Sequence, residues 1–280
     1  MKIRSISVQQ VQEIVRKLLL HSAYKLPADY LNAMQVARER EISSLGVNII
    51  TMILDNADYA EAEKIPTCQD TGMAILHLSV GQNVHFTDGD LNQALHDAVA
   101  EAYQKLRKSV VSDPLLRQNS GDNTPPIIHY EIVPGDKVEI TALMKGFGAE
   151  LMSRLQMFPP SVGEEGIKEF VLETIQLAGP NACPPLIVGV GIGGSFDTVG
   201  YLAKRALMRT LGTPHQEAHI AQLEKDLLTA INALGIGPQG FGGSTTALAV
   251  HVECYATHIA ALPVAVNLNC SAPRRATVTL

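Results

Sequence analysis

Apolar positions in the first sixty or so residues recur at helical spacing. Val8, Val11, Ile14, Val15, Leu18 and Leu19 fall on one face. Ser7, with Gln10 three residues on, reads as a capping box in front of them. Pro27 stands where a second helix can begin, and residues 28–63 continue the helical period with Gly46 as the expected interruption. The charged run Arg38-Glu39-Arg40-Glu41 reads as a solvated helix face. From Ile65 the texture changes. Residues 73–80 read as a strand behind the polar turn 66–72, and 91–108 as a helix. Residues 127–133 and 137–144 read as strands joined by Gly135-Asp136, and 186–190 as a short strand of buried type. Helices are expected at 164–178, 198–209 and 216–234, and alternating runs at 247–253 and 259–266. There is no internal repeat. The pattern predicts an α/β fold of mixed short sheets with surrounding helices, behind a helical N-terminal segment 1–64, with 65–280 as one continuous domain.

A chain of 280 residues buries enough surface to need no covalent staples. Its net charge of −6, without any Lys/Arg-rich run, argues against a surface that tracks nucleic-acid phosphates. No run of 18 apolar residues suggests a membrane span, and residues 1–12 carry no apolar core of a secretory signal, so a cytoplasmic address is expected. Four cysteines are too few for a disulfide scaffold, which leaves packing, catalysis or metal.

Cys68, Cys183 and Cys270 each sit in a turn-like segment beside Pro, Gly, Asn or Asp, whereas Cys254 lies in an alternating run and reads as packing. Their wide separation excludes a zinc finger and the compact ferredoxin run. Three thiolates from distant turns can hold one cluster and leave one iron open as a Lewis acid, but spacing alone leaves the other two uses standing. Gly189, Gly191 and Gly194 satisfy G-x-G-x-x-G between a strand and a helix. A dinucleotide site needs a second strand ending in an acid about 20 residues on. Residues 209–214 offer neither, so a tight strand-to-helix turn able to receive an anion is the preferred reading. An NAD-dependent dehydrogenase is the remote alternative.

Read in order, several segments resemble class I (iron–sulfur) fumarate hydratases. They are Cys68-Gln69-Asp70-Thr71-Gly72, Asn119-Ser120-Gly121-Asp122-Asn123-Thr124-Pro125 and Cys183-Pro184-Pro185 with the glycines of 189–194. Gly235-Ile236-Gly237-Pro238-Gln239-Gly240, the stretch 257–267 and Cys270 complete the set. The resemblance runs from about Ser43 to the last residue and is to the α subunit, or N-terminal domain, of that family, with the L-tartrate dehydratase α subunit as close relative.

The resemblance implies Cys68, Cys183 and Cys270 as three ligands of a [4Fe-4S] cluster whose fourth iron binds substrate. It implies Asp70 and His258 as catalytic residues, and Gln69, Arg107, Gly146 and Gly148 as substrate-binding ones. Phe147 and Ala149 depart from the Gly-Gly-Gly-Ser common in that turn. The implied activity is reversible hydration of fumarate to (S)-malate, a tricarboxylic acid cycle step, with L-tartrate dehydration as the alternative and a non-catalytic cluster sensor as a third. The general base and further cations are implied to come from a β subunit, in an α2β2 heteromer, so that this chain holds half of an active site. The chemistry agrees: dehydrating a 2-hydroxy diacid calls for a Lewis acid, cations for two carboxylates and a base. Arg107 can clamp a carboxylate through two parallel bonds, and Asp70 suits general acid work. His129 and His251 read as structural, and Arg274 and Arg275 as facing the cluster region, a partner or solvent.

Overall fold

A computed structural model describes residues 3–280. The chain opens with strand β1 (Arg4–Ser7) and helices α1 (Val8–Tyr24), α2 (Ala28–Arg40) and α3 (Ser44–Glu63). There follow β2 (Met73–Gly81), β3 (Val84–Thr87), α4 (Leu91–Ala102), β4 (Val111–Asp113), β5 (Gln118–Asn119), β6 (Ile127–Val133) and β7 (Val138–Lys145). Next come α5 (Phe147–Glu150), β8 (Arg154–Phe158), α6 (Gly163–Ala178), β9 (Leu186–Gly193), α7 (Phe196–Ala206) and α8 (Ala218–Ala233). The last strands are β10 (Ala247–Tyr255), β11 (Leu262–Asn269) and β12 (Arg274–Thr279). The class is the expected mixed α/β one, with short mixed sheets and surrounding helices.

Two compact units interleave along the sequence. The first takes the residues up to Pro27, Ala57–Phe147 and Pro273–Leu280; the second takes Ala28–Asn56 and Gly148–Ala272. Of the N-terminal helices, α1 belongs to the first and α2 to the second, while α3 contributes to both.

In the first unit the sheet runs β12-β7-β2-β6, with β2 and β6 parallel and the other pairs antiparallel. Val11, Val15 and Leu19 of α1 and Leu95, Ala98 and Val99 of α4, all fully buried, cover one face of that sheet at Leu76, Leu78, Ile140 and Ala142. Each large apolar side chain so buried stabilises the fold by roughly 1.5–3 kcal/mol. Residues 4–7, read as helical from their context, form β1 instead and pair parallel with β3. Ser7 ends the strand by capping α1, its Oγ accepting from the Gln10 N–H at 3.3 Å. Gly135-Asp136 joins β6 and β7, but these flank β2 rather than pairing with each other. Helix α4 stops at Ala102, short of the expected 108; beyond it Lys108 Nζ donates to the carbonyls of Tyr103, Gln104 and Leu106 and holds the turn that follows.

In the second unit the sheet runs β10-β9-β11-β8, with β9 and β10 parallel. Helices α6 and α8 cover one face around Phe170, Ile175, Leu227 and Ile231, packed on Val188, Val190, Val252 and Val266. Helix α7 lies close over β9. A Cβ at Gly189 or Gly191 would stand 2.2 Å from the Ala203 carbonyl or 2.3 Å from the Val199 carbonyl, so the glycine spacing serves helix-on-strand packing. The break between α2 and α3 falls at 41–43 and not at Gly46. Ser43 Oγ accepts the Gly46 N–H at 3.1 Å and starts α3, and a Cβ at Gly46 would meet Glu41 Cγ at 2.9 Å. Strand β11 begins at Leu262 instead of 259, leaving 256–261 as an exposed loop.

Candidate active site

The polar turn before β2 carries Cys68, Gln69 and Asp70, of which Gln69 is exposed and the other two half-buried. Asp70 is held at both carboxylate oxygens: Oδ1 accepts the Gly72 N–H at 2.8 Å and Oδ2 the Phe147 N–H at 2.7 Å. Charge-assisted bonds of this kind fix the carboxylate against the 145–147 turn, where fully buried Lys145 donates Nζ to the Gly146 carbonyl at 3.1 Å. Arg107 is exposed, but its backbone is clamped. Thr71 Oγ1 and Asn123 Nδ2 each donate to the Arg107 carbonyl at 2.8 Å. Asn123 Oδ1 accepts from Ser109 N–H at 2.7 Å and Val110 N–H at 3.1 Å. Gln69, Asp70, Arg107, Lys108 and Ser109 line one open cavity of about 480 Å³. An amide, a carboxylate and a guanidinium facing one polar space can recognise a small acid and move a proton on it.

In the second unit, Cys183 is exposed and adopts the left-handed conformation, φ 54° and ψ 65°. For a non-glycine residue that costs of order 1–3 kcal/mol, so the surroundings must impose it. They do so by hydrogen bonds. Cys183 N–H donates to Pro180 O at 3.0 Å, and Ser271 N–H donates to Cys183 O at 3.0 Å. Gln239 donates its backbone N–H (2.8 Å) and its Nε2 (2.7 Å) to Pro184 O, and Nε2 also to Ser271 Oγ at 3.0 Å. Tyr30 Oη, from α2, donates to Ser271 O at 2.6 Å. The turns bearing Cys183 and Cys270 are thereby tied together and to the glycine loop 235–243. His258 stands on the exposed 256–261 loop, its Nδ1 accepting the Ala260 N–H at 3.1 Å. Gly148 is exposed in α5.

Thus Gln69, Asp70, Arg107 and Gly146 come together in the first unit, while the Cys183 and Cys270 turns come together in the second. His258 has its own loop. Cys254 is exposed near the end of β10, and not packed as its alternating run suggested, because the strand projects beyond the core there. Local desolvation of its sulfur, with the charges of Glu253 and Glu224, pushes the thiol up to about 11.

None of the four cysteines is in a disulfide, and Cys68, Cys183 and Cys270 all stand at least partly open to solvent on turns. Among the described residues no three His, Cys, Asp or Glu side chains converge on a point as they would around one ion. A cluster makes a different demand, since it is held through thiolates on separate irons. Accessible thiols on rigidly bonded turns fit that donor set, and Cys254, whose thiol resists ionisation, does not.

Asn123, Gln239, Ser271 and Tyr30 hold this arrangement, and none is singled out by sequence reasoning. Asn123 and Gln239 lie inside segments noted for their glycines and prolines, so polar side chains embedded in such loops were the available signal.

A sequence model of the fumarate hydratase (Fumerase) family matches residues 12–279. The chain is 42% identical, over 95% of its length and 96% of the relative's, to a Methanocaldococcus jannaschii protein named "Putative L(+)-tartrate dehydratase subunit alpha". It is 37% identical to the L(+)-tartrate dehydratase subunit alpha of Escherichia coli (strain UTI89 / UPEC), over 97% of this chain and 91% of that one. The protein of the same name from Shigella sonnei (strain Ss046) is 36% identical over the same shares.

Proposed function

The chain belongs to the fumarate hydratase (Fumerase) family and is a hydro-lyase, and from that premise we propose that it is the α subunit of a [4Fe-4S] enzyme that interconverts fumarate and (S)-malate. The observation that carries this reading is the single cavity on which Gln69, Asp70 and Arg107 converge. Cys68, Cys183 and Cys270 are the proposed cluster ligands. When bound there, the cluster supplies an open iron as Lewis acid toward the hydroxyl of the 2-hydroxy acid.

The chain's own residues then divide the remaining work. Arg107 pairs with one substrate carboxylate, and Asn123 and Thr71 hold the segment that presents it. Gln69 donates its amide to the same end of the substrate. In dehydration the C2–O and C3–H bonds break, the C2–C3 double bond forms, and Asp70 gives its proton to the departing hydroxyl, which leaves as water. The two backbone N–H groups on Asp70 keep its carboxyl at one orientation through both directions of the reaction. His258 and the glycines Gly146 and Gly148 complete the substrate contacts of this chain. The base for the C3 proton and the cations for the second carboxylate belong to a β subunit, in a cytoplasmic α2β2 enzyme.

The names of the relatives favour a second reading, L-tartrate as substrate. The experiment is anaerobic co-expression with the β subunit, cluster reconstitution, and rates on (S)-malate, fumarate and L-tartrate. Faster turnover of malate and fumarate supports the main reading, and preference for L-tartrate replaces it with the second. Serine at Cys68, Cys183 or Cys270 is expected to abolish cluster content, measured as iron and acid-labile sulfide, while Cys254→Ser leaves it intact. A brown, iron-replete Cys183→Ser protein would sink the ligand assignment.

A further inference from the structure

Gln239 holds a backbone position that suits glycine better than glutamine. Its φ of 52° and ψ of 18° fall in the left-handed region, inside a loop where Gly237 and Gly240 also take positive φ. Glycine would meet that demand at no steric cost, so the side chain is what explains a glutamine there. Its amide reaches two places. Nε2 donates to Pro184 O at 2.7 Å and to Ser271 Oγ at 3.0 Å, while the backbone N–H of the same residue donates to Pro184 O at 2.8 Å. A carbonyl can only accept, so the amide nitrogen must face it, and both amide protons then have an acceptor. Pro184 and Ser271 are the residues that directly follow Cys183 and Cys270. The loop that carries Gln239 is itself fixed. Gly242 N–H closes it on Ile236 O at 2.8 Å, and Gly237 N–H donates to Thr246 Oγ1 at 3.1 Å. A Cβ at Gly240 would stand 2.4 Å from Pro180 Cβ, so the loop lies directly on the turn that leads to Cys183.

We propose that Gln239 is a positioning residue for the cluster, a brace that presets the spacing of the Cys183 and Cys270 thiols before any iron arrives. The proposal rests on the reading of those two cysteines as ligands. A cluster is held by thiolates at separations that its own geometry dictates, so ligands already at that spacing lose less freedom on binding. Cys183 is exposed and Cys270 only half-buried, so the place of each sulfur follows largely from the backbone behind it. The Ser271 N–H on Cys183 O, at 3.0 Å, joins the two backbones at one point. The amide of Gln239 adds a second tie, which stops the turns from pivoting about the first.

The test measures iron release from the reconstituted αβ enzyme to an excess of a ferrous chelator, without oxygen, for the parent, Gln239→Met, Ser271→Ala and the pair. Met is similar to Gln in length and volume but loses both bonds of the amide. Release from Gln239→Met is expected to quicken about 10–100-fold, the usual cost of removing a group that orients a metal ligand. Ser271→Ala removes one of the two bonds and is expected to give a smaller rise, and the pair should release iron no faster than Gln239→Met alone. Ser271→Thr keeps the acceptor oxygen and is expected to hold iron as the parent does. Release from Gln239→Met within about twofold of the parent, or additive rises in the pair, would overturn the proposal. That holds even if the iron-free variant unfolds at a lower temperature, since a merely structural role moves that reading alone. If Gln239→Met does not fold, Ser271→Ala and Ser271→Thr decide, and equal release from the two overturns the brace. A parent enzyme that takes up no iron, or whose Cys183→Ser form keeps it, would instead refute the ligand reading, and the brace with it.

Discussion

Cys183 and Cys254 show how much the setting of one residue type can differ. Cys183 is forced into a left-handed turn by bonds from both sides, and its thiol is presented to solvent. Cys254 takes ordinary extended geometry from the pairing of β10 with β9, and its ionisation is opposed by desolvation and by the charges of Glu253 and Glu224. A thiol held near 11 carries about a thousandth of its population as thiolate at roughly pH 8. Alkylation of Cys254 by iodoacetamide is therefore expected to run at under about a hundredth of a free cysteine's rate and to quicken about tenfold per pH unit. Mass spectrometry of the labelled peptide gives the rate, and labelling as fast as free cysteine would contradict the assignment. Asn123 is the other residue whose setting matters. Its replacement by Ala leaves the Ser109 and Val110 N–H groups without their acceptor, at a cost of roughly 1–3 kcal/mol. It also frees the Arg107 segment, so KM for the diacid is expected to rise more than kcat falls. A variant with unchanged KM and full stability would show that the clamp has no role.

At the scale of elements, the periodic segments were legible and the loops were not. Helices α1, α6 and α8 lie where hydrophobic period puts them because each buries one regular face, and β2 and β6 match their expected ranges within a residue, β2 nearly wholly buried and β6 exposed or half-buried beside it. Strand β12 was missed because Arg274-Arg275 reads as surface, and no local pattern tells a buried guanidinium from a solvated one. The candidate residues of 68–70 were found through their motif, whereas the bonds that orient them come from residues far away in sequence, such as Phe147 for Asp70. Glu41 is a further case. Read as part of a charged face, it is instead 8% exposed and accepts the N–H groups of Ser43 and Ser244, which ties the α2–α3 junction to the glycine loop. Burial pushes its carboxyl up, but the bonds from Thr245, Ser244 and Ser43 outweigh this and hold it below the usual carboxylate range. A depressed folded value stabilises above the unfolded one, near pH 4.3, and that contribution fades as the pH falls through the folded value. Glu41→Gln is accordingly expected to cost roughly 1–3 kcal/mol in urea unfolding at about pH 7, with the deficit shrinking toward about pH 3. A deficit that does not change with pH would refute the role of the ionised form. The glycines under α7 make a simpler case: Gly191→Ala drives a methyl into the Val199 carbonyl and should lower stability by at least about 1–3 kcal/mol, read by the same unfolding.

The molecule as a whole is acidic, with a net charge of −6, and among its described residues no helix is long and apolar enough to cross a membrane. The function proposed for it is that of one partner in two. The purified chain with its cluster rebuilt is expected to turn over neither malate nor tartrate, and addition of the β subunit is expected to restore activity with saturation at equal stoichiometry. Turnover by the chain alone, freed of any second polypeptide, would refute the division of labour.

The interleaving of the two units bears on what can happen to the gene. The chain passes between them after residues 27, 56, 147 and 272, so no uninterrupted stretch shorter than nearly the whole contains either one. A stop codon late in the reading frame removes β12 from the sheet that β2 and β7 begin, and a late start removes the partners of that same sheet. Shuffling by fusion, fission or exchange of segments therefore has few tolerated junctions within these residues.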